Sequence, residues 1–377
     1  MSFFTFNSEP HRRFVLWLLA LVVFPVAVLS VIGIYLQPLY GDLTRVGFYS
    51  EREFGWNSLQ VVFQHTQLKF PALLEHGYAD SGSYVHYHDV LVLGDSFSYK
   101  HPESQWQNYI ASATNESVAT LYIGKITLAQ VLESRIFREH PPKVLILESV
   151  ERRLPAHLTD QIPDCANAIP VLPLSKGDMQ LFSRNAQPDG NLPGKTMSIE
   201  RKLLWKDVKL DWVRGFLWNN LVRKLTGKND TDAVKVDFNR TGPFSSNNQG
   251  ATLVYVDDFK KFLWWKTLGL SEMSCRIEAM RRQVEANGYT RFVLMVPPDK
   301  LTAYSDYLSD SRFQHASLLS ALSELHPKVM PRLDKALITA IHAGEQDVYF
   351  PDDTHWASNG QRIAAETLIS FMKHPKE

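Results

Sequence analysis

The sequence predicts an α/β fold, a central parallel sheet with helices on both faces, and three observations predict it. Val90–Leu93, Val118–Ile123, Lys143–Glu148 and Arg291–Val296 are short apolar runs of strand length. They lack polar alternation, which is how strands buried on both faces read. Segments with helical spacing separate them, and strands alternating with helices of ~10–15 residues indicate crossovers within one sheet. The first run ends on Gly94, with Ser96 two residues beyond. A buried strand delivers a nucleophile to the end of a parallel sheet in this way.

The N-terminus stands outside that fold. His11-Arg12-Arg13 precedes an uncharged run from Phe14 to Tyr35, 22 residues long, against the ~20 that span a bilayer. A cleaved signal peptide has an apolar region of only ~7–15 residues and an Ala-x-Ala-like site. Here Ile34-Tyr35 leads instead into Leu36-Gln37-Pro38. An uncleaved transmembrane anchor is therefore expected, with Pro25 mid-span where a membrane helix tolerates it. The arginines lie on the N-terminal flank, which makes that end cytoplasmic and the bulk of the chain external. In a bacterium this describes a single-pass inner-membrane protein with a periplasmic domain. The expected organisation is a cytoplasmic N-terminus (1–13), the anchor (14–35), a membrane-proximal stem (36–88) and an α/β domain (89–377) carrying an insertion (155–256).

Forty basic and forty acidic residues balance, so no basic face suggests nucleic acid. Cys165 and Cys275 are the only cysteines. They either pair, as an oxidising compartment permits, or stand as separate thiols.

The elements follow in order. After the Val90–Leu93 strand, Ser104–Thr114 reads as a helix, and Val118–Ile123 as a strand ending at Gly124. Thr127–His140 has helical spacing through Leu128, Val131, Leu132 and Ile136, stopped by Pro141-Pro142. Lys143–Glu148 is the next strand. The insertion is rich in Pro, Asn, Gly and Lys and suits a lid or a substrate-binding wall. Its Trp205, Trp212 and Trp218 are either platforms for sugar rings or residues packed on a helix face. Asp257–Asn287 reads as one helix stopped by Gly288. After the Arg291–Val296 strand, helices are expected near 312–324 and 331–343. Gln346–Phe350 reads as a last short strand, and Ala357–Lys373 as a closing helix.

The chemistry lies in two distant segments, Gly94-Asp95-Ser96 and Asp352-Asp353-Thr354-His355. A serine hydroxyl needs a base to take its proton, and an imidazole titrating near neutrality fits that role. His355 sits in a polar loop, where the reactive residues of open α/β sheets collect. A carboxylate must hold the other ring nitrogen. In an extended segment residues i and i+2 share a side, which favours Asp353; a turn would favour Asp352. Acyl transfer also needs donors aimed at the developing oxyanion. The candidates are the amides of Ser96 and Gly124 and the Arg152 side chain, which otherwise forms a surface pair with a glutamate. A turn at Gly-Asp-Ser and a helix cap at Asp-Asp-Thr are the plain alternatives to a Ser-His-Asp site.

Those residues resemble SGNH (GDSL-type) hydrolases, and more closely the alginate O-acetyltransferases and related exopolysaccharide acetylation proteins. Asp353-Thr354-His355-Trp356, followed by Gly360, is similar to their Asp-Thr-His-Trp motif. Gly94–Ser98 resembles their serine segment, Glu148–Arg152 a Glu-x-Val-Glu-Arg strand end, and Pro298, Lys300 and Tyr304 a Pro-x-Lys-x-x-x-Tyr segment. The resemblance covers about residues 88–154 and 288–373. In the alginate proteins the Asp-x-His motif precedes the serine. Here the order is that of ordinary SGNH hydrolases and of the anchored protein that completes D-alanylation of teichoic acid. The usual Gly-x-Asn-Asp block is absent, leaving Arg152 as stand-in donor. The resemblance implies a periplasmic O-acyltransferase modifying a polysaccharide, its acyl group supplied by a multipass membrane acyltransferase, with no cofactor or metal. A carbohydrate esterase and a non-catalytic glycan-binding component of an export complex are the alternatives.

Overall fold

The computed structural model describes residues 9–36, 41–49, 54, 63–70, 74–77, 87–99, 104–165, 195–201, 209–227, 231–246, 248–311 and 317–373. The first helix, α1 (Glu9–Leu36), is apolar and is not buried inside the protein over its most apolar stretch. By length and composition it is able to cross a bilayer. A short helix α2 (Asp42–Gly47) follows.

The core is a five-stranded parallel sheet built from β2 (Leu74–Gly77), β3 (Val90–Gly94), β4 (Val118–Tyr122), β5 (Val144–Glu148) and β9 (Arg291–Met295), in the order β2-β4-β3-β5-β9. Alternation sorts its side chains. Val90, Val92, Ile146 and Val293 face one hydrophobic cluster, and Leu91, Leu93, Leu145 and Leu294 the other. The first cluster is closed by α4 (Trp106–Thr114), α13 (Leu333–His342) and α14 (Ser358–Lys373). The second is closed by α5 (Leu128–Glu133), α6 (Arg135–Glu139), α7 (Leu154–Gln161), α10 (Leu270–Glu285) and α12 (Leu319–Leu325). The chain passes from β3 to one side (β4) and then to the other (β5). The carboxyl end of β3 is thus the topological switch point, where open sheets leave a crevice.

Several elements differ from the sequence reading, each for a local reason. The expected helix over Thr127–His140 is two, because Ser134 leaves helical geometry, ending α5 and accepting from the Phe137 amide to cap α6. The expected helix over Asp257–Asn287 is also two, α9 (Asp257–Leu268) and α10. Gly269, with φ of 78°, breaks it, a backbone conformation that glycine adopts without strain. Gln346–Phe350 adds no strand to the sheet. Tyr349 makes an isolated bridge to Trp356, and the Phe350 amide donates to the His355 carbonyl. The segment pairs with its own return, leaving β9 at the edge. Of the expected 312–324 helix, α12 begins at Leu319, and 312–316 lie outside the described residues.

The segment expected as a stem contributes to the fold itself. It supplies β2 to the sheet and β1 (Phe63–Lys69), which pairs antiparallel with β6 (Lys195–Arg201) of the insertion. Leu43, Tyr49 and Phe54 pack against a hairpin of β7 (Ala233–Asp237) and β8 (Ala251–Tyr255). The insertion also carries α8 (Leu210–Thr226), and Trp205 lies outside the described residues. Cys165, just after α7, is joined to Cys275 of α10 by a disulfide.

Candidate active site

β3 runs into the site through Gly94, and Ser96 opens the single-turn α3 (Ser96–Tyr99). The turn is packed from below by Glu148, whose Oε2 accepts from the Asp95 amide (2.9 Å) and the Ser98 hydroxyl (2.8 Å). A Cβ at Gly94 would lie 2.8 Å from that oxygen, so only glycine admits the carboxyl there. Burial, and then the neighbouring Asp95, push the Glu148 carboxyl well above its usual range. Asp95 accepts from the amides of Phe97 (3.0 Å) and Val150 (2.9 Å), tying the serine turn to the end of β5. Its role is to shape the turn.

His355 Nε2 stands 2.8 Å from Ser96 Oγ, and His355 Nδ1 stands 2.6 Å from Asp353 Oδ1. Burial opposes ionisation of Asp353, but adjacent His355 and amide donors from His355 and Asp42 hold its carboxyl below the usual carboxylate range. An ionised carboxylate only accepts, so Nδ1 carries the ring proton and Nε2 is left to accept from Ser96. The chain thus brings Ser96, His355 and Asp353 into one relay. Asp352 is turned away from the ring. Its carbonyl accepts from the Leu43 amide (3.1 Å), and its buried carboxyl is raised to about 7 by burial and by Asp353, against the pull of Lys300.

The motif residues around the triad hold the histidine loop. Lys300, fully buried at the start of the single-turn α11 (Lys300–Ala303), donates to the carbonyls of Leu253 (2.7 Å) and Pro351 (3.3 Å), bridging β8 to that loop. The Tyr304 hydroxyl accepts from the Tyr349 amide (3.3 Å). Trp356 is buried edge-on against Phe97, whose ring centroid is also 4.9 Å from that of His355. None of these three side chains lines the cleft; they position His355.

A residue the sequence did not mark completes the site. Asp42, first in α2, accepts from the Thr354 amide (3.1 Å), donates its own amide to Asp353 Oδ2 (3.3 Å), and sets Oδ2 3.8 Å from His355 Nδ1. It lies 311 positions before Asp353, in a segment without a motif, so no local signal pointed to it. Its charge adds to that of Asp353 in stabilising an imidazolium. Asp42→Asn should lower kcat about 10-fold, the equivalent of ~1.4 kcal/mol, with KM little changed; steady-state kinetics on a soluble acyl ester checks this.

The triad opens on a cleft of about 490 Å³ lined by Asp42, Ser96, Tyr122, Gly124, Arg152 and Tyr255 among others. A larger cleft of about 820 Å³, between α12 and α14, contains none of the triad, so the smaller one is the candidate site. Among the described residues, the Ser96 and Gly124 amides donate to no acceptor within the chain, as oxyanion donors require. Arg152 lines the cleft but is not the surface pair considered from sequence. It is buried, with Nη1 2.5 Å from Asp299 and 3.3 Å from Asp258. Of the tryptophans, Trp212 stacks on Phe48 (centroids 6.1 Å) and Trp218 is exposed on α8. Neither lines the cleft, where Tyr122 and Tyr255 stand instead.

Beneath Arg152, burial and the Asp299 charge raise Asp258 to about 8, against the attraction of Arg152. Folding therefore favours the protonated acid. That contribution is complete below pH ~4 and is lost as pH rises through about 8. Asp258→Asn, neutral throughout, should gain stability relative to the wild type across that window, by at most ~1.4 kcal/mol per pH unit. Thermal melts at a series of pH values measure the difference.

Residues 265–376 match the family described as SGNH hydrolase-like domain, acetyltransferase AlgX. The match covers under a third of the chain, including Asp353 and His355 but not Ser96. It supports the resemblance to SGNH hydrolases and alginate O-acetyltransferases, and with it a hydrolase-like, acetyltransferase-related function. No curated protein and no solved structure matches the chain.

Proposed function

We propose that the chain is a membrane-anchored, extracytoplasmic O-acyltransferase that acetylates hydroxyls of an exopolysaccharide or cell-surface glycan through an acyl-enzyme on Ser96. The observation that carries this reading is the continuous Ser96–His355–Asp353 relay at the mouth of a cleft. Ser96 Oγ attacks the donor's acyl carbonyl while His355 Nε2 takes its proton, and Asp353 and Asp42 stabilise the imidazolium. The amides of Ser96 and Gly124 receive the oxyanion. Collapse of the tetrahedral intermediate releases the donor's leaving group, which takes the proton back from His355. A sugar hydroxyl then attacks the acyl-serine, giving its proton to His355, and the second collapse returns that proton to Ser96.

The cleft suits a carbohydrate. Tyr122 and Tyr255 offer ring faces, while Arg153, Asp160 and Asp257 offer donors and acceptors for hydroxyls. The tether suits a donor delivered at the membrane. Only five residues lie between Leu36 at the end of α1 and Asp42 at the triad, a span of at most ~22 Å. A multipass membrane acyltransferase is the donor this distance favours.

An activated acetyl ester given to the purified protein, with and without an oligosaccharide acceptor, separates transfer from hydrolysis. Acetylated saccharide exceeding free acetate supports the transferase. Hydrolysis indifferent to every acceptor assigns an esterase, and equal rates for wild type and Ser96→Ala would dismiss both in favour of a glycan-binding component.

A further inference from the structure

Helix α8 has two faces of different character. One face holds the active site's support. Arg223 donates to the Gly47 carbonyl (2.9 Å), Asn220 to the Phe48 carbonyl (3.4 Å), and Trp212 stacks on Phe48. These contacts clamp α2, whose Asp42 touches the triad. The other face is exposed and largely apolar, with Arg214, paired to Asp211, set within it. Leu210, Leu217, Trp218, Leu221 and Leu225 follow the i, i+7, i+8, i+11, i+15 spacing of one helical stripe and are between 42% and 75% exposed. Such a stripe on a folded protein marks an interaction surface.

The neighbour of α8 indicates what covers it. The end of α1 packs against α8: Ser30 and Ile32 are half-covered and Gly33 is buried, while the preceding apolar residues of α1 are exposed. An element packed on the last turns of a membrane span lies at the level of the lipid headgroups. The composition of α8 fits that level. Trp218 is the aromatic type enriched at the membrane–water boundary. Exposed Arg214 and Lys224 have stems long enough to lie along apolar surface while their charges meet phosphates.

We propose that α8 is an interfacial helix, its outward stripe resting in the headgroup region of the bilayer that α1 crosses. Because α8 clamps α2, this seat also fixes the height of the active-site cleft above the membrane. The inference rests on α1 as the anchor but not on the nature of the reaction.

The full chain, carrying an environment-sensitive thiol fluorophore at Leu221→Cys or Leu225→Cys, is placed in phosphatidylethanolamine–phosphatidylglycerol nanodiscs. The native cysteines are held in their disulfide. Leu325→Cys, an exposed leucine on α12, is the control. Lipids brominated near the headgroup should quench both α8 probes at least about twofold more than the control. Quenching equal to the control overturns the proposal. So does quenching or a blue shift that arises only when a second membrane protein is added, which would give the stripe to a protein partner. Failure of the chain to enter discs overturns the proposal at its premise, whereas loss of acyl transfer alone would bear only on the catalytic reading.

Discussion

Replacing Ser96 with alanine should reduce acyl turnover roughly ten-thousand-fold while leaving the fold intact, because the relay loses its nucleophile and no other hydroxyl is hydrogen-bonded to His355 Nε2 among the described residues. His355→Ala should cost a similar factor, and the double variant little more than either alone. Residues that act as one unit are not additive. Asp353→Asn should approach the same loss, since an amide opposite Nδ1 permits the wrong ring tautomer. Asp352→Asn should not, because Asp352 makes no bond to the ring and burial raises its carboxyl well above the usual carboxylate range. Initial rates on a chromogenic acetyl ester, with melting temperatures measured in parallel, test these five variants.

The second large effect concerns stability. The Cys165–Cys275 bond closes a loop of 110 residues that includes most of the insertion, with β6, α8 and the β7–β8 hairpin. A cross-link of that length lowers the entropy of the unfolded chain, an effect of at most ~4.7 kcal/mol near 100 residues and more often about 2–4 kcal/mol. The Cys165→Ser, Cys275→Ser double variant should therefore unfold at lower denaturant and melt several degrees lower. The bond anchors the end of α7 on α10, within the cluster on the far face of the sheet from α4 and α14. Catalysis at low temperature should survive its loss. Denaturant titration of the oxidised, reduced and double-serine proteins reads the difference.

The parts of this protein that were legible in its sequence are those dictated by local physics. Four sheet strands were readable because burial on both faces leaves uninterrupted apolar runs. Ser96 and the His355 loop were readable because reactive residues gather at strand ends. Alternation in an extended segment favoured Asp353 over Asp352; Asp353 does face the ring, but through a bend in which its Oδ1 also accepts from the His355 amide. What the sequence hid was tertiary. Gln346–Phe350 has strand composition but bonds to its own return. Ser134 and Gly269 interrupt helical spacing without changing the apolar pattern on either side. Asp42 reaches His355 only because α2 is packed on the β7–β8 hairpin by Leu43 and Tyr49. Lys300 and Tyr304 stood in a motif, yet their side chains bond to β8 and the histidine loop and neither lines the cleft. Arg152 was legible as a strand-end cation, and its carboxylate partners, Asp258 and Asp299, come from segments far along the chain.

The proposed reaction passes through a covalent acyl group on Ser96. The direct measurement is intact-protein and peptide mass spectrometry after incubation with an activated acetyl ester and an acid quench. The expected result is a mass gain of one acetyl group on the peptide containing Ser96, absent from Ser96→Ala, accumulating in Asp42→Asn if deacylation slows more than acylation, and discharged on adding an oligosaccharide. Turnover without an adduct under any quench condition, or an equal adduct in Ser96→Ala, would contradict it.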